Sequence, residues 1–498
     1  MPADAFAYIS AARELVSGRG LYLIDCKGGF SPVFLWGPGF PIALAAFSFV
    51  GISPDSAAGI LNALLFAVNS FVIGYLLRMY GPKVSWLPIL GMIVFIGSTA
   101  ILKIHAVAMS EPLFICCFLF TFLFLLKYVE QNRKSMLVLA AIFAGWGFLT
   151  RYAGVSLFMT GIIIIVVHNR AKLKELLINS LFFTAISCSP MILWVSRNLL
   201  LTGKTTGRSF KLHLPDYGYL YDIKETFTNW FIPSSYPLEL KTIIGFLALS
   251  FLVAIFLLWK PQSRIKIFTP QKADPTNAFL IVTLIFAVCY SLVLLYTTCS
   301  VPTCGYLGER VTLPLYLSGM LIIIVAVGDI WLNDKYKWKK HLILSIIIIF
   351  IALGLTRSGY WAYVIQKDGW GGYNDPPRCF SETLVYLKNN SNINISKIIS
   401  NDCCAIYYWT SKSTIEIPMM RYHERAGLPL GIKVGDKRSD FEYKWTRLKE
   451  KIHPGWLLVY FFTPMGGEVN FPSEQELQRR LKLVLHKKFG DGSIYMIE

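Results

Sequence analysis

Long apolar segments recur along the first 357 residues and alternate with short polar ones. A membrane-spanning helix needs about 20 mostly apolar residues, and ten segments approach that length. They cover residues 56–77, 85–102, 110–127, 137–150, 153–168, 176–196, 242–259, 278–297, 311–332 and 342–357. The pattern predicts a multi-pass α-helical membrane domain over residues 56–357, preceded by a first loop, 1–55, that contains interfacial helices.

The polar segments between these spans form two alternating sets. Segments 78–84, 128–136, 169–175, 260–277 and 333–341 hold 15 Lys and Arg in 50 residues, whereas segments 1–55, 103–109, 151–152, 197–241 and 298–310 hold 12 in 122 residues. Because Lys and Arg favour cytoplasmic loops, the first set is predicted to be cytoplasmic. The first loop and the tail after residue 357 then lie on the outer side of the plasma (inner) membrane.

Residues 137–168 test this orientation, because they allow two interpretations. One is a single long helix that buries Arg151, which would reverse the orientation of every later loop. The other is two short spans with Arg151 at the outer turn between them. The charge bias of the later loops favours two short spans.

The composition changes after residue 357, and residues 358–498 contain no segment long enough to span a membrane. Helices are predicted at Glu382–Asn389, Asp440–Ile452 and Ser473–Leu483, and strands at Lys397–Ser400 and Gly455–Phe462. Strands that alternate with helices predict a small C-terminal α/β domain, which the orientation places on the outer side.

The composition excludes several classes of protein. With 54% apolar residues, 16% charged residues and a mean hydropathy of +0.51, the chain is not disordered, a coiled coil or a small disulfide scaffold. The net charge of +18 belongs mostly to loops of the apolar part, so the expected partner is a lipid bilayer and not a nucleic acid. The ten cysteines show no metal-binding pattern. Cys299 and Cys304 are equally compatible with a disulfide on an oxidising side and with free thiols.

Two carboxylates lie in segments where a membrane enzyme carries chemistry. Asp4 begins an amphipathic stretch of the first loop, and it suits either a helix N-cap or a general base acting on a hydroxyl. Glu111 lies at the outer mouth of the 110–127 span, where a carboxylate is costly unless it is solvated or paired. It suits either a solvated helix start or a second acidic group of a site.

Three arginines, Arg151, Arg197 and Arg310, lie at predicted outer ends of spans, against the usual charge bias. Arginine binds phosphate through paired hydrogen bonds, and several together would neutralise a departing phosphate. Lys204 extends this predicted patch. The alternative is that each side chain reaches to lipid headgroups. His105 is predicted to be a plain polar surface residue.

With these residues, the chain resembles the GT-C superfamily of polyprenyl-phosphate-sugar glycosyltransferases, in style nearest to protein O-mannosyltransferases and lipid A aminoarabinose transferases of glycosyltransferase family 39. The resemblance covers nearly the whole chain and depends on the order and spacing of short motifs. These include Asp4…Tyr8…Leu15, Pro38-Gly39-Phe40-Pro41, Ser110-Glu111-Pro112, Leu149-Thr150-Arg151, Trp194…Arg197-Asn198, Glu309-Arg310 and Gly490-Asp491-Gly492.

The resemblance implies direct displacement at the anomeric carbon of a sugar. Asp4 would accept the proton of the acceptor hydroxyl, with Glu111 as a second acidic group. The departing polyprenyl phosphate would be stabilised by cationic residues, namely Arg310, Arg197, Arg151 and Lys204. In the family a first span precedes the acidic residue, so the start of the chain is expected upstream of Met1.

The same resemblance implies the partners. The donor is a polyprenyl-phosphate sugar, and the acceptor is a hydroxyl on a lipid, glycan or protein. No cofactor is required, although the carboxylates at positions 4 and 111 allow a shared divalent cation. The alternative function is a transporter or flippase for an anionic lipid or solute, which would place ionisable residues near the bilayer midplane. The predicted spans are nearly free of charge, which favours the transferase. The large first loop and the clustered arginines disfavour a third class, a structural or assembly factor.

Overall fold

The computed structural model describes most of the chain. The described residues are 3–25, 29–206, 212, 217–230, 239, 243, 274–300, 308–333, 336–369, 380–390, 397–412, 414–420, 441–463 and 471–498. The predicted span at 242–259 therefore lies outside the described residues, apart from residue 243. So does Cys304, the predicted partner of Cys299.

The first loop folds into two helices and a hairpin. These are α1 (Ala3–Val16), the antiparallel strands β1 (Tyr22–Asp25) and β2 (Gly29–Pro32), and α2 (Gly39–Ala46) with a 3-10 turn at Phe47–Val50. Helix α1 is buried in protein along most of its length, for example at Ala5, Ile9 and Ala12. Its small and aromatic side chains pack against α2 and other parts of the protein. That the helices of the first loop lie at the membrane interface stays a prediction.

Long apolar helices form the body of the protein. In chain order they are α3 (Pro54–Tyr80), the pair α4 (Leu87–Ile96) and α5 (Thr99–His105), α6 (Glu111–Gln131), α7 (Lys134–Thr150), α8 (Val155–Asn169), α9 (Leu173–Thr202), α11 (Pro275–Ser300), α12 (Glu309–Asn333) and α13 (Lys337–Asp368), with the short α10 (Tyr217–Asn229) between α9 and α11. In the described part of the chain, seven helices are long and apolar enough to cross a membrane, and α4 with α5, bent by 62°, is an eighth candidate.

The nine predicted spans that are described all coincide with apolar helices, which confirms the multi-pass helical fold. The chain leaves helical geometry at Arg151, between α7 and a 3-10 turn at Tyr152–Gly154, so two short helices replace the single long one. Helix α13 continues past the predicted domain boundary at 357/358 to Asp368.

Helix α6 is the central helix of the bundle, and 78% of its apolar window is buried. The rings of Phe118 and Phe286 on α11 have centroids 4.5 Å apart, and Phe122 packs on both. Buried aromatic rings remove large apolar areas from their surroundings and favour such tilted contacts. The start of α6, which carries Glu111, is therefore held deep in the protein.

The C-terminal domain contains a five-stranded sheet. Its strands are β3 (Ile398–Ser400), β4 (Thr414–Glu416), β5 (Leu457–Phe461), β6 (Leu483–Lys488) and β7 (Gly492–Ile497), in the order β4-β3-β5-β7-β6. Strands β4, β3 and β5 are parallel, whereas β7 is antiparallel to both β5 and β6. Among the described residues of the domain, four helices accompany them, α14 (Glu382–Asn389), α15 (Cys403–Thr410), α16 (Phe441–Lys449) and α17 (Glu474–Arg480).

This domain confirms the predicted α/β class, and both faces of its sheet are covered. Alternate residues of β5 point to opposite faces, as in any strand. Val459 packs with α14 and α15, whereas Leu458 packs with Trp445 of α16. The predicted helix at Ser473–Leu483 ends at Arg480, and the following strands β6 and β7 were not predicted.

Helix α15 joins this domain to the first loop. The Tyr407 hydroxyl donates to Glu14 of α1, and Arg13 donates to the Tyr408 carbonyl oxygen at 2.8 Å. Arg13 also pairs with Asp55 at the start of α3, at 2.7 Å. The first loop and the C-terminal domain therefore lie at the same end of the bundle.

Candidate active site

Asp4 and Arg310 meet at this end of the bundle. Asp4 lies within the first turn of α1, and its Oδ2 is 2.5 Å from Arg310 Nη1 at the start of α12. Its other oxygen, Oδ1, accepts a hydrogen bond from the Trp36 indole at 2.7 Å. Both oxygens thus contact side chains from distant parts of the chain. Asp4 lies inside α1, after Ala3, and its side chain makes tertiary contacts.

Glu111 joins two of the predicted arginines. Its Oε1 is 2.5 Å from Arg151 Nη1 and also accepts a hydrogen bond from Arg310 Nε. Two carboxylates and two guanidinium groups therefore form one charge-balanced cluster, Asp4–Arg310–Glu111–Arg151, which we call the carboxylate–arginine cluster. Such balance is required, because an unpaired charge in a buried position is strongly destabilising.

The carboxylate–arginine cluster is open at one end only. The Glu111 side chain is 3% exposed and Arg151 is 17% exposed, whereas Asp4 and Arg310 are 26% and 30% exposed. Reactants therefore have access to Asp4 and Arg310, while Glu111 and Arg151 form the buried support. Charges fixed in place before reaction stabilise developing charge most effectively.

Two hydroxyl groups extend the cluster toward α1. The Tyr8 hydroxyl and Ser110 Oγ are 3.0 Å apart, and Arg151 Nη1 donates to Ser110 Oγ at 3.4 Å. Burial, together with the charge of Glu111, raises the pKa of Tyr8 to about 12. Tyr8 therefore stays protonated near neutral pH and fixes the face of α1 that carries Asp4.

The Trp36-Gly37-Pro38-Gly39 turn explains how Trp36 reaches Asp4. A side-chain carbon added at Gly37 would lie 2.3 Å from the Leu149 carbonyl oxygen, and one at Gly39 would lie 2.6 Å from Thr150 Oγ1. Only glycine allows the turn to press against the end of α7. The same contact brings the turn next to Arg151, which follows Thr150 in the chain.

Arg197 has different partners from Arg310. It donates to the carbonyl oxygens of Leu21 and Val33, each at 2.9 Å, and to Asn198 Oδ1 at 3.0 Å. Its guanidinium also lies over the Trp194 ring, 4.7 Å from the centroid. The structure thus uses Arg197 to fasten the first loop to the end of α9. Lys204 lies just beyond that end and is exposed.

The structure brings together four of the six predicted site residues. The prediction missed Trp36, Tyr8 and Ser110 as members of the site, although all three lie in or beside the family-like motifs. His105 was predicted to lie on the surface, and this is wrong. It is 7% exposed, with Nδ1 2.8 Å from the Ile101 carbonyl oxygen and its ring against Phe66 and Phe95.

A guanidinium group lies between the two carboxylates for which a shared divalent cation was considered. Arg310 contacts both Asp4 and Glu111. Among the residues that the structure describes, no group of three or more His, Cys, Asp or Glu side chains is placed to hold a metal ion. Dependence on a divalent cation stays a prediction.

Comparisons with known proteins agree with this architecture. The family model for dolichyl-phosphate-mannose-protein mannosyltransferase matches residues 37–194, which include Glu111 and Arg151. A search of curated protein sequences gives no match.

Solved structures are similar to this chain at low sequence identity. ArnT from Cupriavidus metallidurans, in its apo state and bound to undecaprenyl phosphate, is similar over 99% of this chain and 93% of its own, with 10% identity and a TM-score of 0.56. Arabinosyltransferase EmbB from Mycobacterium smegmatis gives 14% identity over 74% of this chain and 40% of its own, with a TM-score of 0.34. The family model covers residues 37–194, and the likeness to ArnT, at 10% identity, shows the fold; both agree with the resemblance to the GT-C superfamily seen in the sequence.

Proposed function

We propose that the protein moves a sugar from a polyprenyl-phosphate donor to an acceptor hydroxyl, with Asp4 as the general base. The observation that carries the proposal is the contact between a partly open carboxylate, Asp4, and a partly open guanidinium, Arg310. One group suits a hydroxyl proton and the other suits a leaving phosphate.

The reaction is a displacement at the anomeric carbon of the sugar. The acceptor oxygen forms the new bond while its proton passes to Asp4. The bond between the anomeric carbon and the phosphate oxygen breaks, and the polyprenyl phosphate leaves with the electron pair. Arg310 then faces the phosphate anion, because a guanidinium binds phosphate and carboxylate through the same hydrogen-bond geometry.

Glu111 and Arg151 support this exchange. Glu111 holds Arg310 through Nε, which leaves the other nitrogens of the guanidinium to point toward Asp4 or a substrate. Arg151 forms a second ion pair with the Glu111 carboxylate. We assign Glu111 and Arg151 to positioning, and Arg197 to anchoring the first loop. Lys204 lies outside these contacts, and we assign it no step.

Lipid phosphates are named in the descriptions of one ArnT structure and of the matching family model. One solved ArnT structure is bound to undecaprenyl phosphate, and the matching family model is described by a dolichyl-phosphate sugar. Both descriptions support a lipid-phosphate donor for this chain. The loop charges support a reaction on the outer side of a plasma membrane, and we propose the same side for the C-terminal domain.

The positions of acidic residues favour a transferase over a transporter. In the described apolar helices α3 to α9 and α11 to α13, every Asp and Glu lies within five residues of a helix end. Transporters commonly place ionisable groups near the bilayer midplane. The carboxylate–arginine cluster of this chain instead lies at the end of the bundle that carries the C-terminal domain.

The test uses the full chain in liposomes with radiolabelled polyprenyl-phosphate sugars. Labelled product is expected from the wild type, and Asp4→Asn is expected to lose about 10²- to 10⁴-fold in rate, the usual contribution of a general base. The matched control is Asp55→Asn, which removes a carboxylate–arginine pair where the other end of α1 meets α3. Equal losses in both variants would mean that α1 moved, and normal transfer by Asp4→Asn would remove Asp4 from the proposal.

A further inference from the structure

A second group of polar side chains surrounds the first residue of α12. Glu309, next to Arg310 in the chain, faces Lys103 of α5, Arg357 of α13 and the side chain of Asn229 at the end of α10. Successive helix residues point about 100° apart, so Glu309 and Arg310 serve different neighbours. We call Lys103, Asn229, Glu309 and Arg357, with Trp230, the second polar cluster.

The second polar cluster has a rigid frame. Ser358, beside Arg357, donates to the Gly97 carbonyl oxygen at 2.8 Å and lies 3.3 Å from Thr99 Oγ1. These contacts fix α13 to the bend between α4 and α5. On the same side, Lys103 Nζ lies 3.6 Å from the centroid of the Trp361 ring. Lys103 and the segment of α13 that carries Arg357 are therefore both fixed next to the bend between α4 and α5.

Several polar atoms in this frame lack hydrogen-bond partners. Arg357 Nε, Asn229 Oδ1 and Trp230 Nε1 are all buried and unpartnered. The two Nη atoms of Arg357 donate to the Asn229 carbonyl oxygen, at 3.3 Å each. Asn229 itself is 5% exposed. Buried donors and acceptors without partners are costly, so their concentration at one place points to a ligand that carries both acceptors and donors.

Charge and hydrogen-bond donors together indicate which ligand fits. Among the described residues, Glu309 is the carboxylate that both Lys103 and Arg357 face, while Glu225 of α10 also faces Glu309. The charges of the described groups balance, so the hydrogen-bond donors decide: the guanidinium of Arg357 is cationic, and the unpartnered N–H groups of Arg357 and Trp230 suit phosphate oxygens. The Asn229 oxygen suits a hydroxyl on the same ligand.

The surroundings indicate how the ligand enters. Helix α13 is the least buried of the candidate spans, with 6% of its apolar window inside the protein. Leu353 and Tyr360, on either side of Arg357 in the chain, are 67% and 63% exposed. A lipid in the bilayer can therefore lie along α13 and bring its headgroup to Arg357.

We propose that the second polar cluster binds the phosphate headgroup of a membrane lipid, at a site separate from Asp4 and Arg310. The lipid is either a polyprenyl phosphate or a bilayer phospholipid, since both carry the same group. The site does not depend on sugar transfer, because its geometry involves none of the residues assigned to the reaction.

The test is native mass spectrometry of the purified full chain, titrated separately with undecaprenyl phosphate, phosphatidylglycerol and unphosphorylated undecaprenol. The variants are Lys103→Gln with Arg357→Gln, and Trp230→Phe, which keeps the ring and removes one donor. The control is Lys127→Gln, because Lys127 also lies over an aromatic ring, 5.6 Å from the Tyr75 centroid. The double variant should bind a phosphate lipid about tenfold more weakly, and Trp230→Phe less so.

Loss for undecaprenyl phosphate alone would identify a second donor or product site, and loss for both phosphate lipids would identify a phospholipid site. Either result supports the proposal if undecaprenol binding and Lys127→Gln are unaffected. Unchanged binding of both phosphate lipids in the double and Trp230→Phe variants would overturn it. Equal weakening for undecaprenol would also overturn it, since the phosphate would then contribute nothing. Transfer activity is not measured, so this outcome is independent of the role of Asp4.

Discussion

The start of α12 and the end of α9 each present an arginine, and the partners of these two residues differ. Arg310 at the start of α12 contacts the side-chain carboxylates of Asp4 and Glu111. Arg197 near the end of α9 contacts the backbone carbonyl oxygens of Leu21 and Val33. Both were predicted to bind a phosphate, because both end a span on the same side.

The difference in partners supports the proposal that Arg310 takes part in the reaction whereas Arg197 anchors the first loop. A carboxylate can give up its hydrogen bonds to a phosphate of the same geometry, and the carboxylate is then free to take a proton. A backbone carbonyl oxygen has no such second use, and leaving it without a partner costs free energy. The partner, and not the arginine itself, therefore indicates where substrates enter.

Removing the shared carboxylate should have the largest effect. In Glu111→Gln, Arg151 and Arg310 lose their common counter-charge in a buried position, where breaking an ion pair costs about 3–5 kcal/mol. Thermal unfolding of the purified full chain should show a clear loss of stability.

Adding Arg151→Gln to Glu111→Gln removes one of the stranded charges and should recover part of that stability. The double-mutant cycle thus measures the coupling between the two residues. Simple additivity of the two changes would contradict the assignment of Glu111 and Arg151 as a buried support.

Arg310→Ala should lower the rate of transfer about 10²-fold, the usual effect of removing one preorganised donor. Arg197→Ala is the matched comparison, because it also removes one guanidinium from the end of a span. It should lower the stability of the first loop while the KM for the lipid donor stays unchanged. Steady-state kinetics with a polyprenyl-phosphate sugar separates the two. If Arg197→Ala changed the KM for the lipid donor as much as Arg310→Ala does, Arg197 would also contact the donor.

Hydrophobic pattern and loop charge were enough to predict the bundle. Nine described spans and the break at Arg151 follow from local sequence, because a lipid environment demands long apolar helices and charges mark their ends. Strands β6 and β7 were missed because β6 is mostly exposed and lacks a clear apolar alternation.

The candidate site was predictable by residue type but not by pairing. Asp4, Glu111 and Arg310 are separated by long stretches of chain, and no local signal shows that Glu111 would be shared between Arg151 and Arg310. His105 reads as polar in sequence, yet its ring nitrogen finds a backbone oxygen within its own helix and its ring packs among aromatics. Tertiary contacts decide such cases, and the sequence does not contain them in readable form.

The smallest effect is expected at Glu14, which lies at the contact between α1 and the C-terminal domain and accepts hydrogen bonds from Arg19 and Tyr407. Burial disfavours its charge, but hydrogen bonds from Arg19 and Tyr407 hold the pKa of the carboxyl below its usual value. A lowered pKa means that Glu14 contributes stability above the unfolded carboxyl pKa, about 4.3, and loses it as the pH falls through the folded value.

Tyr407→Phe should cost about 1.5 kcal/mol at pH 7, the effect of one hydrogen bond to a charged group. The cost should shrink as the pH falls through the lowered pKa of Glu14, where the carboxyl takes up a proton. Thermal unfolding at a series of pH values measures this, with Tyr443→Phe on the exposed side of α16 as the control. A cost for Tyr407→Phe that stays constant across that range would show that the contact with α15 does not depend on the charge of Glu14.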